Sequence, residues 1–151
     1  MPNLWRTLLL AAAGIGLHAV TAAAQNPTDS CKLTHVIPLT SEQPPAKIVV
    51  DPPLAEPLAS RGVVIIQYCA QNLHIAPVFG PGAATASPRV GHVHVGLDDA
   101  PWVWADASGA PIILQGLAPG PHKVVLTLVD ANHHPLDKTT ITFVVQDEAK
   151  H

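Results

Sequence analysis

The chain has 151 residues, of which 48% are hydrophobic and only 13% charged, with a formal net charge of -3 at pH 7. That balance excludes the basic surface that nucleic acid or an anionic membrane requires, so no partner is selected by bulk charge. The length allows one domain with a real core and is too short for two.

Residues 1–6 form a short head whose one charged side chain is Arg6, residues 7–17 are an apolar run, and Ala22-Ala23-Ala24 supplies the small residues of a signal-peptidase site. The run is shorter than the ~20 apolar residues of a membrane span, so a cleaved signal peptide over 1–24 is expected, with no membrane anchor left. The mature chain of about 127 residues is then periplasmic or secreted. Cys31 follows Thr28, Asp29 and Ser30, which is not the setting of a lipidated cysteine. Export carries Cys31 and Cys69 into a compartment where disulfides persist, and their pairing is expected. Such a bond contributes on the order of 4 kcal/mol in the chain-entropy model. Two separate buried thiols are the alternative, and without C-x-x-C spacing a redox pair is not expected.

Residues 25–46 read as a polar, turn-rich N-terminal arm. The domain proper is expected over 47–146, followed by a short tail at 147–151. Its first strands are Lys47 to Val50 and the longer apolar run 63–69, which has the composition of a strand buried on both faces. Residues 73–79 continue that strand or form another, and 80–88 is a loop of small residues. The second half contains strands at 91–97, 102–104, 111–114, 123–129 and 139–145, with Ala107-Ser108-Gly109 as a turn. In the last two, apolar residues alternate strictly (Val124, Leu126, Leu128; Ile141, Phe143, Val145), so they should pair as a hairpin. No 3.6-residue stripe is present. The expected fold is therefore all-β, an immunoglobulin-like β-sandwich of about seven strands.

The chemistry of the chain concentrates in G-H-V-H-V-G-L-D-D, residues 91–99. On an extended strand His92 and His94 share one face about 7 Å apart, with Val93 and Val95 on the other. Two imidazoles so placed can grip one metal ion, given a third ligand. The alternative is a pair of half-exposed strand residues bonded to carbonyls or water. Strand 122–130 spans more than about 20 Å, so His122 and His133 lie at opposite ends and cannot serve one ion. Asp98 and Asp99, just before Ala100-Pro101, read as a turn rather than as an acid–base pair. Trp102 and Trp104 share a face and read as packing or as a ligand platform. No G-x-S-x-G, free catalytic cysteine or phosphate loop is present, so no catalysis is expected.

The segment G-L-A-P-G-P-H-K-V at 116–124, followed by L-V-D-A-N at 128–132, resembles the later part of bacterial immunoglobulin-like domains. There a G-L-x-P-G end of a strand precedes an aromatic corner residue, usually Tyr, and His122 stands at that position. The resemblance implies that strand 91–97 takes the C position, in one sheet with strands F and G. It also brings the start of that strand to the same end as the F to G turn, near His133 and His134, and leaves His122 near Asp98 or Asp99. More closely, G-H-V-H-V-x-x-D-D-A-P-W-x-W with P-G-P-H-K-V and L-D-A-N-H-x-P-L-D across 47–145 resembles a family of exported bacterial domains of unknown function. It marks His92, His94, His122 and His133 as motif positions. A local H-V-H likeness to copper-zinc superoxide dismutases does not extend to a bridging-histidine loop or a late G-x-x-x-R-x-x-C-G segment.

Two functions compete on this reading. One is an exported module that binds copper or zinc through His92, His94 and His133, with His134 a possible substitute. The other is a structural or adhesive module that binds a protein or glycan partner without a metal.

Overall fold

A computed structural model of the protein describes residues 44–54 and 61–147. The expected signal peptide, nearly all of the arm with Cys31, and residues 148–151 of the tail lie outside the described residues.

The described chain is almost entirely β-structure: β1 (Lys47–Val50), β2 (Val64–Ile66), β3 (Tyr68–Gln71), β4 (His74–Ile75), β5 (Val90–Leu97), β6 (Trp104–Asp106), β7 (Ile112–Leu114), β8 (Gly120–Asp130) and β9 (Pro135–Val145). A single helical turn, α1 (Pro81–Ala84), precedes β5. Nine strands are thus present among the described residues where about seven were expected, and they form three sheets. β1 pairs with β3, β2 pairs with β7, and a five-stranded sheet runs β4-β5-β8-β9 with β6 also on β5. Among the described residues no helix is long and apolar enough to cross a membrane.

The apolar run at 63–69 is not one strand. It breaks at Gln67 and changes partner, β2 meeting β7 and β3 meeting β1. Val64, Ile66 and Tyr68 are nonetheless all buried, so the period of two passes straight through the break. The strand expected at 102–104 lies instead at Trp104–Asp106, because Trp102 and Val103 project into solvent and only Trp104 onward pairs with β5. The expected hairpin is present as β8 and β9; β8 is longer at both ends, and β9 starts earlier but ends at Val145 as expected.

One apolar cluster draws on all three sheets: Ile48, Val64, Ile66, Val93, Val95, Ile112, Leu114, Val124, Leu126, Leu128, Phe143 and Val145 among others. Complete burial of side chains such as Leu126 and Leu128 stabilises the fold by about 1.5–3 kcal/mol each. The alternation of β5 then fixes its other face. With Val93 and Val95 in the core, His92 and His94 must stand opposite. Gly91 makes the pairing of β5 with β8 possible: a Cβ there would run into the Val129 carbonyl oxygen and the Leu73 side chain.

Candidate metal site

β5 and β8 are antiparallel with His92 opposite Val129 and His94 opposite Thr127. The turn from β8 to β9 therefore lies just beyond His92. Asp130 builds that turn: its Oδ1 accepts the backbone N–H of Asn132 at 2.7 Å and of His134 at 2.9 Å, while its carbonyl accepts the N–H of His133 at 3.1 Å. Those bonds hold His133 at φ 66°, a left-handed conformation uncommon for residues other than glycine, though histidine, asparagine and aspartate adopt it more readily than most. The turn folds the His133 ring back over the outer face of β5.

Three ring nitrogens meet there. His92 Nε2 lies 3.2 Å from His94 Nε2 and 3.2 Å from His133 Nδ1, and the last two are 2.9 Å apart. A tetrahedral ion bound at 2.0–2.1 Å separates its ligand nitrogens by about 3.3 Å, so this triangle has the dimensions of three corners of such a site. Without an ion the arrangement is poorly satisfied. Each ring nitrogen that carries a proton points it at the same small space, and each that lacks one points a lone pair there.

The electrostatics favour the ligating form. Burial, together with the nearby rings of His133 and His94, lowers the pKa of His92 below its ordinary value, and Asp130 opposes this only in part. His94 is lowered by burial and by His133. Neutral imidazoles with free lone pairs are what a transition metal requires. These three histidines are also, among the described residues, the group of His, Cys, Asp or Glu side chains whose donor atoms come close enough to hold one ion.

His134 does not join them. Its Nδ1 pairs with Asp130 Oδ2 at 3.0 Å, and the pair serves the turn. His122 lies at the other end of β8, where Nε2 bonds the Ala118 carbonyl oxygen at 2.7 Å and Nδ1 bonds Asp98 Oδ2 at 2.6 Å. His122 thereby ties the start of β8 to the backbone before it and to the turn after β5. Asp98 and Asp99 form a turn with φ of 49° and 55°; Asp98 Oδ1 accepts the Lys123 N–H and Asp99 pairs with the Lys123 ammonium. A shallow groove at this end is lined by His122, Lys123, Asp98 and Asp99, whose polar atoms are engaged with one another. Trp102 is 58% exposed, its ring 6.0 Å from that of the half-buried Trp104. His74 is exposed on β4, away from the cluster's donor atoms. No free cysteine is present among the described residues, which include Cys69.

One residue of the site was missed in the sequence. Phe79, read there as the end of a possible strand, packs its ring 4.9 Å from that of His92 and 6.1 Å from that of His133. Its signal was slight: one of only two phenylalanines, set directly before Gly80-Pro81-Gly82.

No curated protein and no solved structure shows detectable similarity to the chain. A family model does, over residues 1–151, and the chain belongs to that family, a family of unknown function (DUF6130).

Proposed function

We propose that the mature protein is an exported metal-binding module in which His92, His94 and His133 hold one Cu(II) or Zn(II) ion. The observation that carries this reading is the convergence of three imidazole nitrogens within 2.9–3.2 Å of one another. Three neutral nitrogen donors with no thiolate or carboxylate suit these two ions better than Cu(I), calcium or magnesium. They leave one position for water or another ligand, and no catalysis is assigned to it.

The setting belongs to the same proposal. The apolar run and Ala22-Ala23-Ala24 support export to the periplasm or beyond. The absence of a free thiol among the described residues supports a Cys31–Cys69 disulfide. The β5-β8-β9 order, with β2 paired to β7 against the same core, supports an immunoglobulin-like sandwich.

Metal analysis of protein purified without an affinity tag, followed by titration calorimetry at pH 7.5, tests the site. Replacing His92 and His94 together with Ala should abolish uptake. If the wild type binds neither ion more tightly than ~10 μM, about 7 kcal/mol, the metal reading fails. The exposure of Trp102 and Val103 beside Trp104 favours the second reading, an adhesive surface for a protein or glycan. Quenching of tryptophan fluorescence by added glycan, lost in Trp102→Ala, would support it.

A further inference from the structure

We infer that Phe79 is the positioning residue of the histidine cluster, an aromatic wall that orients two of the three rings where hydrogen bonds ordinarily would. The inference rests on the metal reading above. A metal-binding histidine commonly donates its remote ring N–H to a carboxylate, a carbonyl or water, which fixes the rotation of the ring. His92 has no such anchor: with Nε2 in the cluster, its Nδ1 is buried and without a hydrogen-bond partner among the described residues. The side-chain hydrogen bonds of His94 and His133 within the described residues likewise run to the other two rings.

Phe79 packs against two of the three rings. It meets His92 edge to face, at 67°, and lies nearly parallel to His133, at 11°. Both are favourable aromatic arrangements, each worth a modest amount and each sensitive to ring angle. The backbone keeps Phe79 there. Ala76 N–H bonds the Gly91 carbonyl at 3.0 Å, and Gly80 N–H bonds the Ala131 carbonyl at 2.8 Å, so the loop is tied both to the histidine strand and to the turn that carries His133. Gly80 adopts φ 91°, which a side chain would resist, and this brings the chain to the turn directly after Phe79. The Phe79 side is 51% exposed, so its packing contributes little to the core, and its ring contacts are with His92 and His133.

The test compares wild type, Phe79→Ala, Phe79→Leu and Phe79→Tyr for zinc and copper affinity, for metal-free melting temperature, and for the electron paramagnetic resonance spectrum with one equivalent of Cu(II). Phe79→Ala should weaken binding of both ions by about tenfold or more and broaden the copper signal. Its metal-free melting temperature should stay within about 2 °C of wild type. Phe79→Tyr should restore affinity and spectrum, whereas Phe79→Leu, apolar but not planar, should not. Equal affinity in wild type and Phe79→Ala overturns the inference, and so does a loss that Phe79→Tyr fails to recover. Both results leave the metal site standing, whereas a wild type that takes up neither ion removes the site and this inference together.

Discussion

The two ends of the β5–β8 pair each carry histidine, and they use the imidazole ring in opposite ways. At the corner end, both nitrogens of His122 face acceptors, the Ala118 carbonyl and the Asp98 carboxylate, so both must carry hydrogen for both bonds to form. The Ala118 bond, then that of Asp98, accordingly raises the pKa of His122. At the other end, one nitrogen from each of His92, His94 and His133 faces the other two, and burial first of all lowers the pKa of His92 and His94. A ring between two acceptors favours its charged form, whereas rings that face one another favour the neutral form, which could hold an ion. Sequence position alone does not separate the two, since His122 and His133 stand in equally specific motifs.

The comparison depends first on the approach of β5 to β8, and Gly91→Ala should break it. The added Cβ meets the Val129 backbone, which cannot give as a side-chain tip would. A loss of about 3 kcal/mol in urea denaturation is expected, the upper part of the usual overpacking range. Metal uptake should fail in the same variant, while the corner hydrogen bonds, at the far end of the pair, should be the last part of the sheet to open.

A second experiment separates the ends by ligand. His133→Ala should lower zinc or copper affinity by about a hundredfold, roughly 2.7 kcal/mol, with little effect on metal-free stability, because the ring is exposed. His122→Ala should do the reverse, leaving affinity unchanged and costing about 1–2 kcal/mol of stability through its two lost hydrogen bonds. Equal affinities in the two variants would dissolve the distinction between the ends.

How much of this was legible in the sequence follows from what each residue needs. The strict alternation in β8 and β9, and the shared face of His92 and His94, follow from the period of a strand and hold in the structure. His133 was reachable only through topology, by asking which turn lies beyond the start of strand β5. The choice between His133 and His134 turned on Asp130, whose two carboxylate oxygens bond the turn backbone and the His134 ring. No spacing rule contains that. The break at Gln67 left no mark because burial kept its period while the partner strand changed. Phe79 was hidden for a related reason: its contacts lie on other segments, and its own neighbours, Val78 and Gly80, describe only a loop.

The smallest expected effect is also the most diagnostic, because the two ends should respond to pH with opposite signs. His122 has its pKa raised above the ordinary 6.5, so its contribution to stability is complete below that pH and is lost as pH rises through the folded value. For Asp98, burial pulls upward, but the Lys123 N–H and the His122 ring outweigh it and the pKa falls below the ordinary 3.8. Its contribution is present above that pH and lost as pH falls through the folded value, so the corner is strongest between about pH 4 and 6.5. His92 and His94 have lowered values, so the metal-free cluster is most stable above 6.5 and loses stability as pH falls through their folded values. The two windows adjoin at about pH 6.5, so wild-type stability in a chelator should peak near that pH and fall on both sides, through the cluster below it and through the corner above it. His122→Ala should keep the fall toward pH 5 and lose the one toward pH 8. His92→Gln with His94→Gln should keep the fall toward pH 8 and lose the one toward pH 5. Urea midpoints measured across this range decide the matter, and two variants with slopes of the same sign would show that the ends are not the opposites their hydrogen bonds imply.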